Sequence, residues 1–206
     1  MTAGQLINWG MPALAADMLN ALDCQRTLPL YLQASLLPKA ERGELVVKAI
    51  DAFPQFVRFP NTLEEVAALE SIEECWFARH LLACFYYNKR SYGKAIALWQ
   101  RCVEMSPEFA DGWRGLAIHA WNKQHDYELA ARYLDNAYQL APQDARLLFE
   151  RDLLDKLSGV TPEKRLARLE NNLEIALKRD DMTAELLNLW HLTGQADKAA
   201  DTVSYT

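Results

Sequence analysis

The side chains best suited to chemistry are scattered along the chain. Four histidines, His80, His119, His125 and His191, lack the HExxH spacing that sets two imidazoles and a general base on one helix face. Four cysteines, Cys24, Cys75, Cys84 and Cys102, form no CxxC pair and have no zinc spacing to a histidine. They read as reduced, buried thiols of a cytoplasmic protein. No glycine-rich phosphate loop and no G-x-S-x-G elbow occurs. The carboxylate pairs Glu64-Glu65, Glu73-Glu74 and Asp180-Asp181 are adjacent in sequence, so on a helix they point about 100° apart. That suits solvated faces and helix caps better than general acid–base work. No set of residues supplies a nucleophile, a base and a place for a reacting atom. The expectation is a protein that is not an enzyme and carries no cofactor and no metal.

Bulk properties narrow the class further. Half of the 206 residues are apolar, 24% are charged and the formal net charge is −6. A nucleic-acid backbone would be repelled on average, and no run of Lys or Arg offsets this. The N-terminal stretch has no basic residue to open a secretory signal, and no apolar run is long enough to span a membrane.

What must position any functional face is a repeat. Residues 76–107 and 110–142 each run from a helix, through an Asn-Lys pair, into a second helix that ends at proline. Leu82-Ala83 matches Leu116-Ala117, Asn88-Lys89 matches Asn122-Lys123, Ala95 matches Ala130, and Pro107 matches Pro142. The spacing is 34 residues before the turn and 35 after it, which places one extra residue in the second turn. In the first copy Ala95, Leu98, Trp99, Cys102 and Val103 recur at helical offsets of three and four. Such a face cannot be buried by one helix alone; pairing helices and stacking the pairs buries it.

The pattern resembles the tetratricopeptide (TPR) repeat, W-x2-L-G-x2-Y…A-x3-F…P. Trp113 stands at its Trp position, Tyr86 at its Tyr position, Ala95 and Ala130 at its small position. Arg79 replaces the first Trp, and Ala83 and Ala117 replace the Gly. The expected fold is all-α, a TPR-like α-solenoid of antiparallel helix pairs in one domain over 1–206. Its best-formed repeats span 76–109 and 110–144, with degenerate repeats over 1–75 and 145–206. The degenerate parts predict helices at 12–22, 28–37, 41–52, 63–73, 145–157, 162–177, 181–193 and 196–203. A Thr62/Glu65 capping box opens the fourth of these, and Thr161-Pro162 opens the sixth. In the last pair Trp190 takes the Tyr position, Gly194 the turn and Ala199 the small position. The prolines at 54 and 60 rule out regular helix throughout 53–61. The chain reads as starting in the second half of a repeat, so self-association through uncapped solenoid ends is expected.

The resemblance implies a groove lined by the first helix of each pair. Tyr87 and Trp121 read as one step off the core register there. Asn88 and Asn122 follow them, and His80 and Arg114 lie two turns earlier. Aromatic, amide and cationic groups together suit an extended protein or peptide segment, or an acidic tail held by Arg114. The function implied is a protein-binding scaffold or adaptor.

A second likeness leads to the alternative. RFPNTLEEVAALE (58–70), YGKAIALWQRCVE (92–104), ARLLFERDLL (145–154) and KRDDMTAELLNLWHLTGQADKA (178–199) resemble the C-terminal TPR region of large bacterial proteins. Those proteins carry a galactose-mutarotase-like domain upstream. This likeness implies an accessory repeat module of a carbohydrate-active bacterial protein, its catalytic or sugar-binding domain encoded elsewhere.

Overall fold

The computed structural model describes residues 2–21, 26–52 and 58–198. Cys24, Ala199, residues 53–57 and most of the helix expected at 196–203 lie outside that set. Every regular element among the described residues is helical, and none is a strand. The chain divides into two compact units, Met1–Pro107 and Glu108–Thr206.

The first unit holds α1 (Ala3–Asn8), α2 (Pro12–Ala21), α3 (Thr27–Ser35), α4 (Gly43–Asp51), α5 (Leu63–Glu70), α6 (Trp76–Asn88) and α7 (Tyr92–Met105). α1 packs on α2, α3 on α4 and α6 on α7, while α5 packs on α3, α6 and α1. The second unit holds α8 (Ala110–His119), a π turn (Ala120–Gln124), α9 (Tyr127–Leu140), α10 (Ala145–Leu157), α11 (Pro162–Glu170), α12 (Leu173–Ala176) and α13 (Asp180–Leu192).

One local device closes five of the first helices; α3 instead ends at Leu36 in a right-handed turn. Gly10, Arg90, Gly159 and Gly194 are left-handed, at φ 73, 61, 77 and 76°. The amide that follows each donates five residues back: Met11 to Leu6, Ser91 to Tyr86, Val160 to Asp155 and Gln195 to Trp190, all between 2.7 and 2.9 Å. This is the Schellman closure, which satisfies carbonyls that a helix end otherwise leaves without donors. At the fifth position His125 has φ 56°, and Asp126 reaches six residues back, to Ala120, at 3.0 Å. The wider reach follows from the π turn. The extra residue of the second copy is taken up there, inside the helix, and Asn122-Lys123 sit within it.

Packing follows the expected register in the two best copies. Ala83, Ala95, Cys102, Ala117, Ala130 and Ala137 are buried, as are Trp99 at 4% exposure and Leu134. In the second unit Leu148, Leu166, Leu169, Met182, Leu186 and Trp190 form a further core. Thr62 caps α5 in a full capping box with Glu65, and the helix ends at Glu70, short of residue 73.

Two expectations are corrected. The first pair is complete, because the capped six-residue α1 precedes α2. Too short to show a periodic apolar pattern, α1 buries only Ala3 and Leu6. The helix expected over 162–177 breaks after Glu170. At the break the Asn172 side chain donates to the Arg168 carbonyl at 2.9 Å and accepts from the Tyr138 hydroxyl at 2.6 Å. An Asn held this way draws the backbone out of the helix.

Replacing Trp99 by Ala is expected to cost about 3–5 kcal/mol, the range for a large buried aromatic, read from the urea midpoint. Arg90→Gly and His125→Gly should each stabilise by about 1 kcal/mol, since a side chain in the left-handed region is strained and glycine is not. Melting temperatures that stay level or fall would contradict that assignment of strain.

Candidate functional site

The residues expected to line a groove divide into three kinds. Asn88 and Asn122 are exposed, at the end of α6 and in the π turn. Tyr87 and Trp121 are half-buried. Tyr87 packs on Tyr92 and Trp99, with ring centroids 5.1 and 5.3 Å away, and Trp121 packs on the core around Ala117, Ala130 and Leu134. Each is four residues beyond a buried alanine, Ala83 or Ala117, and so shares its face. The residue that turns outward is Tyr86: its hydroxyl donates to Glu70 at 2.6 Å, and the Lys94 ammonium lies 4.9 Å from its ring centre. His80 is 5% exposed, stacks on Phe77 and has Nε2 3.6 Å from Cys84 Sγ.

Arg114 is already engaged. Its Nε donates to Glu150 Oε2 at 2.8 Å, and Nη2 donates to Oε1 of the same carboxylate. Glu150 lies on α10, the next first helix, and its side chain is 15% exposed. The bidentate geometry expected for an incoming acidic tail is thus filled from within the unit.

The pair belongs to a larger ionic system around α10 that sequence reading missed. Arg146 of α10 reaches Asp111 of α8 at 2.9 Å, and Arg151 reaches Asp135 of α9 at 2.7 Å. Arg165 of α11 donates to both oxygens of Asp152, at 3.1 and 2.6 Å, and to Glu185 of α13 at 2.7 Å. Lys156 meets the same Glu185 at 2.9 Å. Asp152 and Arg165 are buried, so each depends on its charged partners: Asp152 on Arg165, and Arg165 on Asp152 and Glu185. Burial pushes the Asp152 carboxyl above its ordinary value against the pull of Arg165. Burial also raises Glu185, but the donors Arg165 and Lys156 outweigh it and hold that carboxyl below the usual range.

The second unit also exposes several large apolar side chains, Leu157 and Leu192 the most. Leu157 and Leu192 end α10 and α13, 35 residues apart, at the same place in successive repeats. They are 57% and 59% exposed. Asn122 stands 35 residues before Leu157. Among the described residues no three His, Cys, Asp or Glu side chains converge as a metal site, and no helix is long and apolar enough to cross a membrane.

Solved structures share this arrangement of helices. Two crystal structures of MamA superpose with TM-scores of 0.55 and 0.51, each at 14% identity and over 86% of this chain, covering 88% and 96% of MamA. YrrB, a TPR protein with an unusual peptide-binding site, superposes with a TM-score of 0.51 at 17% identity, over 92% of this chain and 89% of YrrB. The fold is the all-α TPR fold. No family model matches the sequence, and no mutarotase-like domain enters through these neighbours.

Asp152→Ala should cost about 3–5 kcal/mol, because it strands the Arg165 guanidinium in the interior. Arg114→Ala should cost about 1.5–3 kcal/mol, as for a hydrogen bond to a charged group. Arg101→Ala, which breaks an exposed pair with Glu104, should cost less than about 1 kcal/mol. Urea midpoints of the three variants test the order; equal shifts would deny the internal pairs their structural role.

Proposed function

We propose that this chain is a non-catalytic cytoplasmic scaffold that binds a segment of another protein on its first-helix faces. The observation that carries the reading is the pair Leu157 and Leu192. Two leucines more than half exposed recur at one structural position, the one that the exposed Asn122 holds in the preceding repeat, and apolar groups so repeated suit a partner's segment. The TPR fold supports the class, and a peptide-binding site in YrrB supports this kind of partner. The charges on the neighbouring first helices are paired with one another. Recognition in the second unit therefore rests on apolar and amide contacts, with Leu157, Leu192 and Asn122 as the main groups; in the first unit Asn88 holds the equivalent position on α6. Of the other residues singled out in the sequence, Tyr87, Trp121 and His80 shape the faces from behind, and Arg114 stiffens them through Glu150. No observation favours an accessory role beside a carbohydrate-active domain.

The test compares the wild-type chain with the double variant Leu157→Asp/Leu192→Asp. A partner captured by the wild type and identified by mass spectrometry is titrated against both. Binding should weaken at least about ten-fold, since each buried leucine contributes roughly 1.5 kcal/mol or more and 1.4 kcal/mol is one decade. The melting temperature should hardly move, because neither side chain packs in the core. Undiminished affinity in the double variant would sink this assignment of the face.

A further inference from the structure

In a plain array of helix pairs α4 would lead directly to α6. Here α5 is interposed, and its neighbours are α1, α3 and α6, the first helices of the three pairs in the unit. The kind of face proposed above to bind a foreign segment is, in this unit, already covered by a segment of the chain itself. α5 seats Val66, Ala68 and Leu69 in the interior. Gly4 lets it come close: a Cβ added there would stand 3.3 Å from Glu64 Cβ and 3.2 Å from its Cγ. Asn8 of α1 donates to the Glu64 carboxylate, and Arg58 pairs with Glu65 at 2.8 Å.

Open clefts flank the seat. Two of them, of about 590 and 380 Å³ and open to solvent, border α5, and Leu32 of α3 and Glu64 of α5 line both. Ile7, Leu36 and Ala68 contribute apolar surface to the smaller one. An eight-residue helix is also marginal by itself, so its order depends on this seat.

We propose that α1 and α3 form a helix-binding surface of which α5 is the built-in occupant, displaced by a partner's short amphipathic helix of the same character. That character is an acidic first turn, then apolar residues three apart with a small residue between them, as in Glu64-Glu65, Val66, Ala68 and Leu69. The proposal rests on the reading that first-helix faces bind protein segments and adds how one such face is regulated. Binding requires release of the internal helix, which competes at the high effective concentration of a tethered ligand.

Hydrogen exchange on the full chain gives the first test. Amides of α5 should exchange at least about ten-fold faster than the interiors of α3 and α6, as an element that opens alone does. Equal rates in all three helices would overturn the proposal. The second test uses a fluorescein-labelled peptide of residues 59–73 and the full chain carrying Leu69→Asp, which weakens the internal occupant. Saturable binding is expected, and the same peptide carrying Leu69→Asp should not bind. The third is a lock, Gly4→Cys with Glu64→Cys, whose Cβ separation is close to the roughly 3.5–4.5 Å of a disulfide. With the 4–64 linkage confirmed by peptide mass, oxidation should weaken peptide binding at least ten-fold and reduction should restore it. Binding indifferent to the lock overturns the proposal, as does no binding to the Leu69→Asp chain. If circular dichroism shows that chain unfolded, exchange and the lock decide on the unaltered α5. A stable dimer formed by exchange of α5 would make a second copy the occupant and overturn the assignment to a partner. The Leu157/Leu192 titration is independent of all three, so the two readings fail separately.

Discussion

A helix that must turn back on itself leaves carbonyls facing the turn, and these must find donors. In this chain the same answer recurs along its length: a left-handed residue, then an amide that reaches five residues back. The closure fixes the direction in which the second helix leaves. That direction brings Ala95 and Ala130 into the interior of their pairs, where a larger side chain would hold the helices apart. Trp99 and Leu134 then lie one turn further along the second helix and fill the space the alanines leave. Glycine meets the requirement without strain at three of the five turns; arginine and histidine meet it at the other two, in the copies with the best-packed cores.

The fold was legible in the sequence because two neighbouring copies keep their small and aromatic positions at nearly constant spacing. Spacing survives where identity does not, and the structural neighbours agree in fold at 14–17% identity. The parts that were hard to read are those whose order comes from elsewhere. α1 is one and a half turns long and is held by its cap and by α2. The break at Asn172 depends on the hydroxyl of Tyr138, 34 residues away. The extra residue of the second copy reads as part of the turn and lies instead in the helix, because a loop and a π turn absorb it equally well in one dimension.

The candidate face was read less well, for two physical reasons. The first is register: Tyr86 and Tyr87 are adjacent, and a 100° error decides which one packs on Trp99. The four-residue step from Ala83 to Tyr87 was the available signal. The second is pairing across repeats. Arg114 looks like an open cation until Glu150 is placed opposite it, and nothing in the sequence around either residue announces the other. The phrase ERDLLDK at 150–156 did hold a clue, since five of its seven residues are charged within a helix that must be largely enclosed. A helix charged on several sides and packed on several sides has to bring its counter-ions with it, and α10 draws them from α8, α9, α11 and α13.

The π turn at Ala120–Gln124 also bears on how the array tolerates a change in repeat length. A repeat array grows by duplication of a unit and then diverges by insertion and deletion. An insertion in a loop leaves little trace, whereas one inside a helix must shift every later side chain by 100° or be stored as a bulge. The copy starting at Ala110 stores it as a bulge after Trp113, Leu116 and Ala117, and Ala130, Leu134 and Ala137 beyond the bulge are still buried. The copy starting at Ala145 has the same 35-residue period with a regular first helix, and its added residue sits in the turn, between Gly159 and Thr161. The two copies therefore reach one period by different structural means, one inside a helix and one in a turn.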